Sequence, residues 1–266
     1  MISGGDGAYC FWDKNEPEIL ITSTYYNRYY LFINNEYYNY FNGENGIFIN
    51  PSDYDYLNNT LYCNAVTFNG NFQNRIYVIS SIDQEPIEST INLFTNTSVP
   101  YSCVKYSKFS SDFATIYLGT QSGYLYKIDF NNNTFVSNNL TNNNFPLANV
   151  SSISEGGSED TLLVTFSNYG ISSLWYTDNG GISWYEKQGN LPDMPIRSSI
   201  IHPNNSNFAL LATEIGVWGT EDLTSDNTFW QPYSNGLANV RVDMLNLRDE
   251  DNLVLASTHG RGQFYT

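Results

Sequence analysis

A hairpin that recurs six times at near-constant spacing constrains this chain more than any other feature. In the second half it reads IYLGTQSGYLYKI (116–128), FALLATEIGVWGT (208–220) and LVLASTHGRGQFYT (253–266). Each copy is an apolar strand, a Thr, a short Gly turn and a second aromatic-rich strand, which is a β-hairpin pattern. A further copy, LLVTFSNYGISSLWYT, carries Gly170, so the turn residues Gly123, Gly170, Gly216 and Gly262 are 47, 46 and 46 residues apart. Toward the N-terminus the turns fall near Asn27 and Asn74, 47 residues apart, with 49 more to Gly123.

An apolar run precedes each hairpin: AYCFWD (8–13), GIFIN (46–50), SCVKYS (102–107), VSSIS (150–154), RSSIIHP (197–203) and VDMLNL (242–247). Several units then add a fourth strand, such as ISWYEKQ (182–188) or TFWQPY (228–233). A four-stranded meander of about 40–50 residues has the size of a propeller blade. The expectation is an all-β propeller in one domain, 1–266, with blades near 4–45, 46–95, 96–145, 146–191, 192–236 and 237–266. The last repeat stops after three strands at QFYT, which suits either six blades or part of a larger ring. Parallel β-helices have shorter repeats and no antiparallel hairpins.

Composition agrees. Tyr 22, Phe 16 and Trp 5 favour pleated, half-buried surfaces. Asn, Ser and Gly fill the segments between apolar runs, as turns require. The net charge of −16, from 11 Lys+Arg against 27 Asp+Glu, repels phosphate backbones and speaks against a nucleic-acid partner. No run approaches the length of a membrane span, and the start, Met-Ile-Ser-Gly-Gly-Asp-Gly, is not a signal peptide. Cys10, Cys63 and Cys103 form no metal or disulfide pattern. Each lies in a strand-like run, so buried free thiols are expected, with a single bridge as the alternative. No metal or cofactor is expected.

At Thr177-Asp178-Asn179-Gly180-Gly181-Ile182-Ser183-Trp184 the chain resembles the Asp-box of sialidase-like propellers, Ser/Thr-x-Asp-x-Gly-x-Ser/Thr-Trp. That likeness gives Asp178 the role of accepting backbone N–H bonds inside the turn. It has Gly180 and Gly181 permit φ > 0, and Trp184 pack under the strands. In the family the box is a folding device on the face opposite the binding site. From about Trp175 to Phe264 the chain also resembles the C-terminal blades of secreted Bacteroidetes propellers, in the broad group of sortilin-like and xyloglucanase-like proteins. The residues carrying this are Gly189-Asn190-Leu191-Pro192, His202-Pro203-Asn204-Asn205, Thr213-Glu214-Ile215-Gly216-Val217 and Thr258-His259-Gly260-Arg261-Gly262. The resemblance implies an extracellular or surface-displayed parent chain with further domains.

Ligands of a propeller meet the loops entering each first strand and the turns between second and third strands. On this face the catalytic candidates are Asp6, in Gly4-Gly5-Asp6-Gly7, and Glu214. Two such carboxyls about 5–9 Å apart could hydrolyse a glycoside; the alternatives are an Asx-turn for Asp6 and a solvated turn for Glu214. Arg28, Arg197, Arg241, His259 and Arg261 are candidate ligand contacts, with Arg261 alternatively bonding backbone carbonyls of the last blade. Tyr25 and Tyr26 open a cluster with Tyr29, Tyr30, Tyr37, Tyr38 and Tyr40, whose rings either stack on sugars or alternate into the core. Asn-x-Ser/Thr triplets, such as Asn96-Thr97-Ser98, are expected by chance in so Asn-rich a chain.

True sialidase chemistry is disfavoured, because Met194-Pro195-Ile196-Arg197 runs opposite to that family's Arg-Ile-Pro. A non-catalytic module binding a glycan or protein partner is the leading expectation, and a xyloglucan-active glycoside hydrolase, or half of its site, the alternative. An assembly scaffold of the photosystem type would need an Arg-rich patch.

Overall fold

The computed structural model describes residues 6–43, 45–69, 73–95, 98–110, 113–131, 134–234 and 236–265. Gly4, Gly5 and the Asn96-Thr97 pair lie outside the described residues. The protein is all-β and of the β-propeller class. Its antiparallel blades follow one another along the chain, each a meander with its strands in sequence order.

The chain divides into two compact units, Met1–Gln121 with Leu125–Asn139, and Ser122–Tyr124 with Leu140–Thr266. The first unit holds three blades. They are β1 to β4 (Cys10–Trp12, Ile19–Ser23, Asn27–Ile33, Glu36–Gly43), β5 to β8 (Ser52–Asp55, Thr60–Asn64, Arg75–Ser80, Ile87–Asn92) and β9 to β12 (Tyr101–Tyr106, Thr115–Thr120, Leu125–Asn131, Thr134–Asn139). The second unit holds β13 to β16 (Val150–Glu155, Leu162–Phe166, Leu174–Thr177, Tyr185–Glu186), β17 to β20 (Ile196–His202, Asn205–Thr213, Gly216–Thr220, Gln231–Pro232) and β21 to β23 (Val242–Arg248, Leu253–Thr258, Gly262–Tyr265). The last sheet has three strands among the described residues.

Burial follows position in the blade. The second strands β2, β6, β10 and β14 are buried at every residue, whereas the fourth strands β8 and β16 are almost wholly exposed. A strand covered by a blade on each side reads as a continuous apolar run, and an outer strand does not. Ile19, Ile21, Leu31, Phe41, Leu61 and Ile79 fill the space between the first two blades. Leu163, Tyr176, Ile201, Leu211 and Trp230 do so between the fourth and fifth. First strands of successive blades adjoin: β5 with β9, and β13 with β17 and β17 with β21.

Each unit fastens its blades with a different polar device. In the first, three buried carboxamides interlock. Asn27 Nδ2 donates to the carbonyl of Asn64 at 2.9 Å, and Asn50 Nδ2 donates to Asn27 Oδ1 at 2.6 Å and to the same Asn64 carbonyl at 2.9 Å. Asn64 Oδ1 in turn accepts the backbone N–H groups of Val66 and Tyr101, each at 3.1 Å. Residues from all three blades thereby share one network, fully hydrogen-bonded as buried polar groups must be. In the second unit the paired serines of β13 and β17 act instead. Ser154 Oγ donates to the Ser199 carbonyl at 2.6 Å, Ser151 Oγ donates to that of Ile196 at 2.6 Å, and Ser198 Oγ accepts the Leu245 N–H at 3.3 Å.

Two expectations are corrected here. GIFIN is not the first strand of the second blade: β5 starts at Ser52, and residues 46–50 form the loop entering it. Asn50 holds that loop, its Oδ1 accepting the Ile47 N–H at 2.9 Å. Gly46, at φ +99°, sits so close that a Cβ there would lie 2.5 Å from Asn50 Oδ1. The cysteines are all free, but only Cys63 is buried; Cys103 is half-buried and Cys10, on the thinly covered β1, is exposed.

Candidate functional site

The loops entering first strands and the turns between second and third strands share one end of each blade. In the first unit this end is aromatic. Tyr25 and Tyr26 occupy the turn between β2 and β3, where Tyr26 has φ 59°. That left-handed backbone is uncommon for a non-glycine residue, and the Tyr26 N–H donates to the Phe48 carbonyl at 3.0 Å. Tyr25 stacks on Phe48 with centroids 5.9 Å apart and planes 4° apart, and Tyr26 stands perpendicular to both. The Arg28 guanidinium lies 4.4 Å from the Tyr25 centroid, a cation–π contact, and its Nε donates to Asn42 Oδ1 at 3.2 Å.

Next to these rings is a recess of about 380 Å³ lined by Tyr26, Gly46, Ile47, Phe48, Thr67, Phe68 and Asn69. Tyr26, Phe48 and Phe68 are 43%, 49% and 71% exposed. Three large rings left to water around one concavity make an aromatic shelf. The rest of the tyrosine cluster divides as strand alternation requires. Tyr29 is buried, with its hydroxyl donating to Asn27 Oδ1 at 3.2 Å, and the Tyr30 and Tyr40 rings meet with centroids 4.8 Å apart and planes tilted by 37°. Tyr37 and Tyr38 are exposed on β4.

The corresponding end of the fifth and sixth blades is ionic. Arg197, at the start of β17, donates Nε to Glu214 Oε1 at 2.8 Å, and its Nη2 pairs with the same oxygen. Arg241, just before β21, donates Nε to Asp243 Oδ1 at 2.6 Å. Arg197 Nε lies 3.8 Å from that oxygen, and His259 Nδ1 lies 3.6 Å from Asp243 Oδ2. Arg197, Glu214, Arg241, Asp243 and His259 therefore form one mixed cluster. Within it, Glu214 Oε1 accepts two donors of the Arg197 guanidinium.

Asp6 is exposed and makes no hydrogen bond among the described residues. It belongs to the first unit and Glu214 to the second. Arg261 is exposed. The bonds expected from it to backbone carbonyls are absent among the described residues; Thr258 Oγ1 closes that turn instead, donating to the Gly262 carbonyl at 2.6 Å. Thr213 does the same for the Gly216 turn at 2.8 Å. Among the described residues no three His, Cys, Asp or Glu side chains form a group able to hold a metal ion.

The Thr177–Trp184 turn has the expected backbone but a different acceptor. Gly180 and Gly181 have φ +66° and +86°. Asp178, however, is exposed and outside the turn's hydrogen bonds. Asn179 occupies the third position, where the pattern has its Asp, and its Oδ1 accepts the Ser183 N–H at 3.0 Å and Thr177 Oγ1 at 2.9 Å. Thr177 Oγ1 accepts the Gly181 N–H at 3.1 Å. Trp184 is buried against Phe145, 5.1 Å away edge to face, and its Nε1 donates to the Leu140 carbonyl at 3.1 Å. The Gly189–Pro192 stretch is also structural. Asn190 Oδ1 accepts the Trp230 N–H at 2.7 Å and Nδ2 donates to the Trp230 carbonyl at 2.9 Å, clamping the fifth blade to the fourth.

Sequence reasoning missed Phe48, Phe68 and Asp243. Phe48 was hidden by its apolar neighbours, which read as a strand. Asp243 sits where the register of β21 shifts between Val242 and Met244, so simple alternation did not mark its side chain. No protein-family model matches this chain, and no curated protein matches it either.

Proposed function

We propose that this chain is a non-catalytic binding module that holds a glycan on the aromatic shelf of its first two blades, in a protein displayed outside the cell. One observation carries this reading: Tyr26, Phe48 and Phe68 leave large ring surfaces exposed around a single recess. Exposed rings offer rigid area at low entropic cost and stack on the C–H faces of sugars. Thr67 and Asn69, whose side chains are joined by a hydrogen bond from Thr67 Oγ1 to Asn69 Oδ1, add polar groups to the same recess. The finer kinship, with sialidase-like propellers of secreted Bacteroidetes proteins, rests on the blade repeat, the Thr177–Trp184 turn and the Gly189–Pro192 stretch, and it motivates the extracellular setting.

Glycan-array screening followed by calorimetry on wild type and the Tyr26→Ala/Phe48→Ala double variant tests the reading. The expected result is saturable binding to a subset of glycans, lost in the double variant at unchanged melting temperature. Binding that survives the double variant would displace the shelf. Capture of a protein and of no glycan would replace the ligand class, and release of reducing ends from xyloglucan would restore the hydrolase alternative.

A further inference from the structure

The fourth blade has a second recess, distant in sequence from the shelf. It measures about 310 Å³ and is lined by Asn144, Trp175, Trp184, Tyr185, Glu186, Lys187 and Asp226. The edge strand β16 provides Tyr185 and Glu186, and Trp175 pairs with Glu186 in the sheet. The segment before β20 contributes Asp226.

Its walls are fixed by bonds that leave the recess itself open. Both indoles are already satisfied, Trp175 Nε1 donating to the Ser172 carbonyl at 3.1 Å and Trp184 Nε1 to that of Leu140 at 3.1 Å. Both rings pack on Phe145, at 5.4 and 5.1 Å. Glu186 Oε1 accepts Ser172 Oγ at 2.7 Å. Lys187 is only 5% exposed, with Nζ donating to the Ser225 carbonyl at 2.7 Å and lying 5.7 and 5.9 Å from the Tyr176 and Tyr185 centroids. A buried ammonium is costly unless its donors are used, and burial moves the Lys187 amine below its ordinary value, opposed by Asp226 and Asp178.

The charge pattern selects the ligand class. An anion would meet the Glu186 and Asp226 carboxylates, and a cation would meet Lys187. A neutral molecule that both donates and accepts hydrogen bonds suits all three. One C–H face against the half-exposed Tyr185 ring would complete the fit. We propose that this recess is a second ligand site, taking a neutral pyranose unit with Tyr185 as the stacking platform and Lys187, Glu186, Asp226 and Asn144 as hydroxyl partners. It is independent of the shelf on the first two blades.

The test is an NMR titration of the full chain with methyl glucoside, methyl galactoside and methyl xyloside, following the assigned indole N–H signals of Trp175 and Trp184. Saturable shifts of these two signals are expected with at least one of the glycosides. They should weaken by about tenfold in affinity in Tyr185→Ala, the loss of one stacking ring, and again in Asp226→Asn. They should persist in Tyr26→Ala/Phe48→Ala. Absence of saturable shifts in the wild type overturns the proposal, as does a Tyr185→Ala variant that responds like the wild type. Because both variants alter exposed side chains, their folds can be checked by the unchanged signals of Trp218 and Trp12, which do not line the recess.

Discussion

The two units build the same kind of blade from different chemistry. The first joins its blades through three buried carboxamides and sets Tyr29, Tyr54 and Tyr77 among the aliphatic residues of its seam; the second uses serine hydroxyls, with Tyr176 and Trp230 in a mainly aliphatic seam. At the loop-bearing end the first unit presents rings and the second presents paired charges. A blade needs a short strand, a turn and a covered face, and it tolerates wide freedom in what bridges it to its neighbour. Function is therefore better sought in what each end leaves unused. On the first unit the unused groups are aromatic faces, whereas at the same end of the second Glu214 and Asp243 are paired with Arg197 and Arg241.

Alkali should separate the units most strongly. Burial raises the phenols of Tyr9, Tyr29, Tyr54, Tyr62, Tyr77, Tyr101 and Tyr106, all in the first unit, whereas in the second only Tyr176 is raised among the described residues. A phenol whose folded value exceeds its unfolded value of about 10 keeps its proton in the fold and loses it on unfolding. Its contribution is complete below pH 10 and falls by about 1.4 kcal/mol per pH unit above it. A brief subtilisin pulse at pH 11, with cuts mapped by mass spectrometry, should cleave the first unit well before the second. Even cutting across both would break the comparison.

Asn64→Leu comes next. It strips partners from the buried Val66 and Tyr101 N–H groups and from Asn50, and should cost about 3–5 kcal/mol in urea denaturation. Ser154→Ala, the matching lesion in the second unit, removes the hydroxyl that donates to the Ser199 carbonyl and should cost only about 1 kcal/mol, since a single neutral hydrogen bond is lost. Equal losses would mean that the two fastening devices do the same work. Smallest is Glu214→Gln. The partly exposed Arg197 pair should be worth less than about 1 kcal/mol, and the difference from wild type should fade in 0.5 M salt, roughly three times the physiological level.

The blades were legible because a turn glycine recurs with a Thr before it in the later copies, and that Thr closes the turn. Thr213 and Thr258 both do so. The seams were partly legible: the Ser-Ser pairs at 151–152 and 198–199 stand in strands at matching positions, but their bonds to the next blade depend on register. The shelf was half legible. Tyr25 and Tyr26 stood out, whereas Phe48 was absorbed into an apolar run that turns out to be a loop. Apolar character shows that a residue avoids water on average and does not say whether a neighbour arrives to cover it. Asp178 misled for a related reason. A carboxylate next to a glycine turn invites a capping role, but the side chain one residue later points into the turn and Asp178 points away.

Asn179 and Gly180 bring a clock into the protein. An Asn followed by Gly is the pair in which the backbone nitrogen most readily attacks the side-chain amide, releasing ammonia and leaving aspartate or its isomer. In the folded chain the Gly180 N–H is held by the Asp160 carbonyl at 2.9 Å, and Asn179 Oδ1 is held by two donors. Ring closure must break these bonds, so the native turn shields its own weakest link. The aspartate fraction accumulating at position 179 during storage would record how long the fourth blade has spent open.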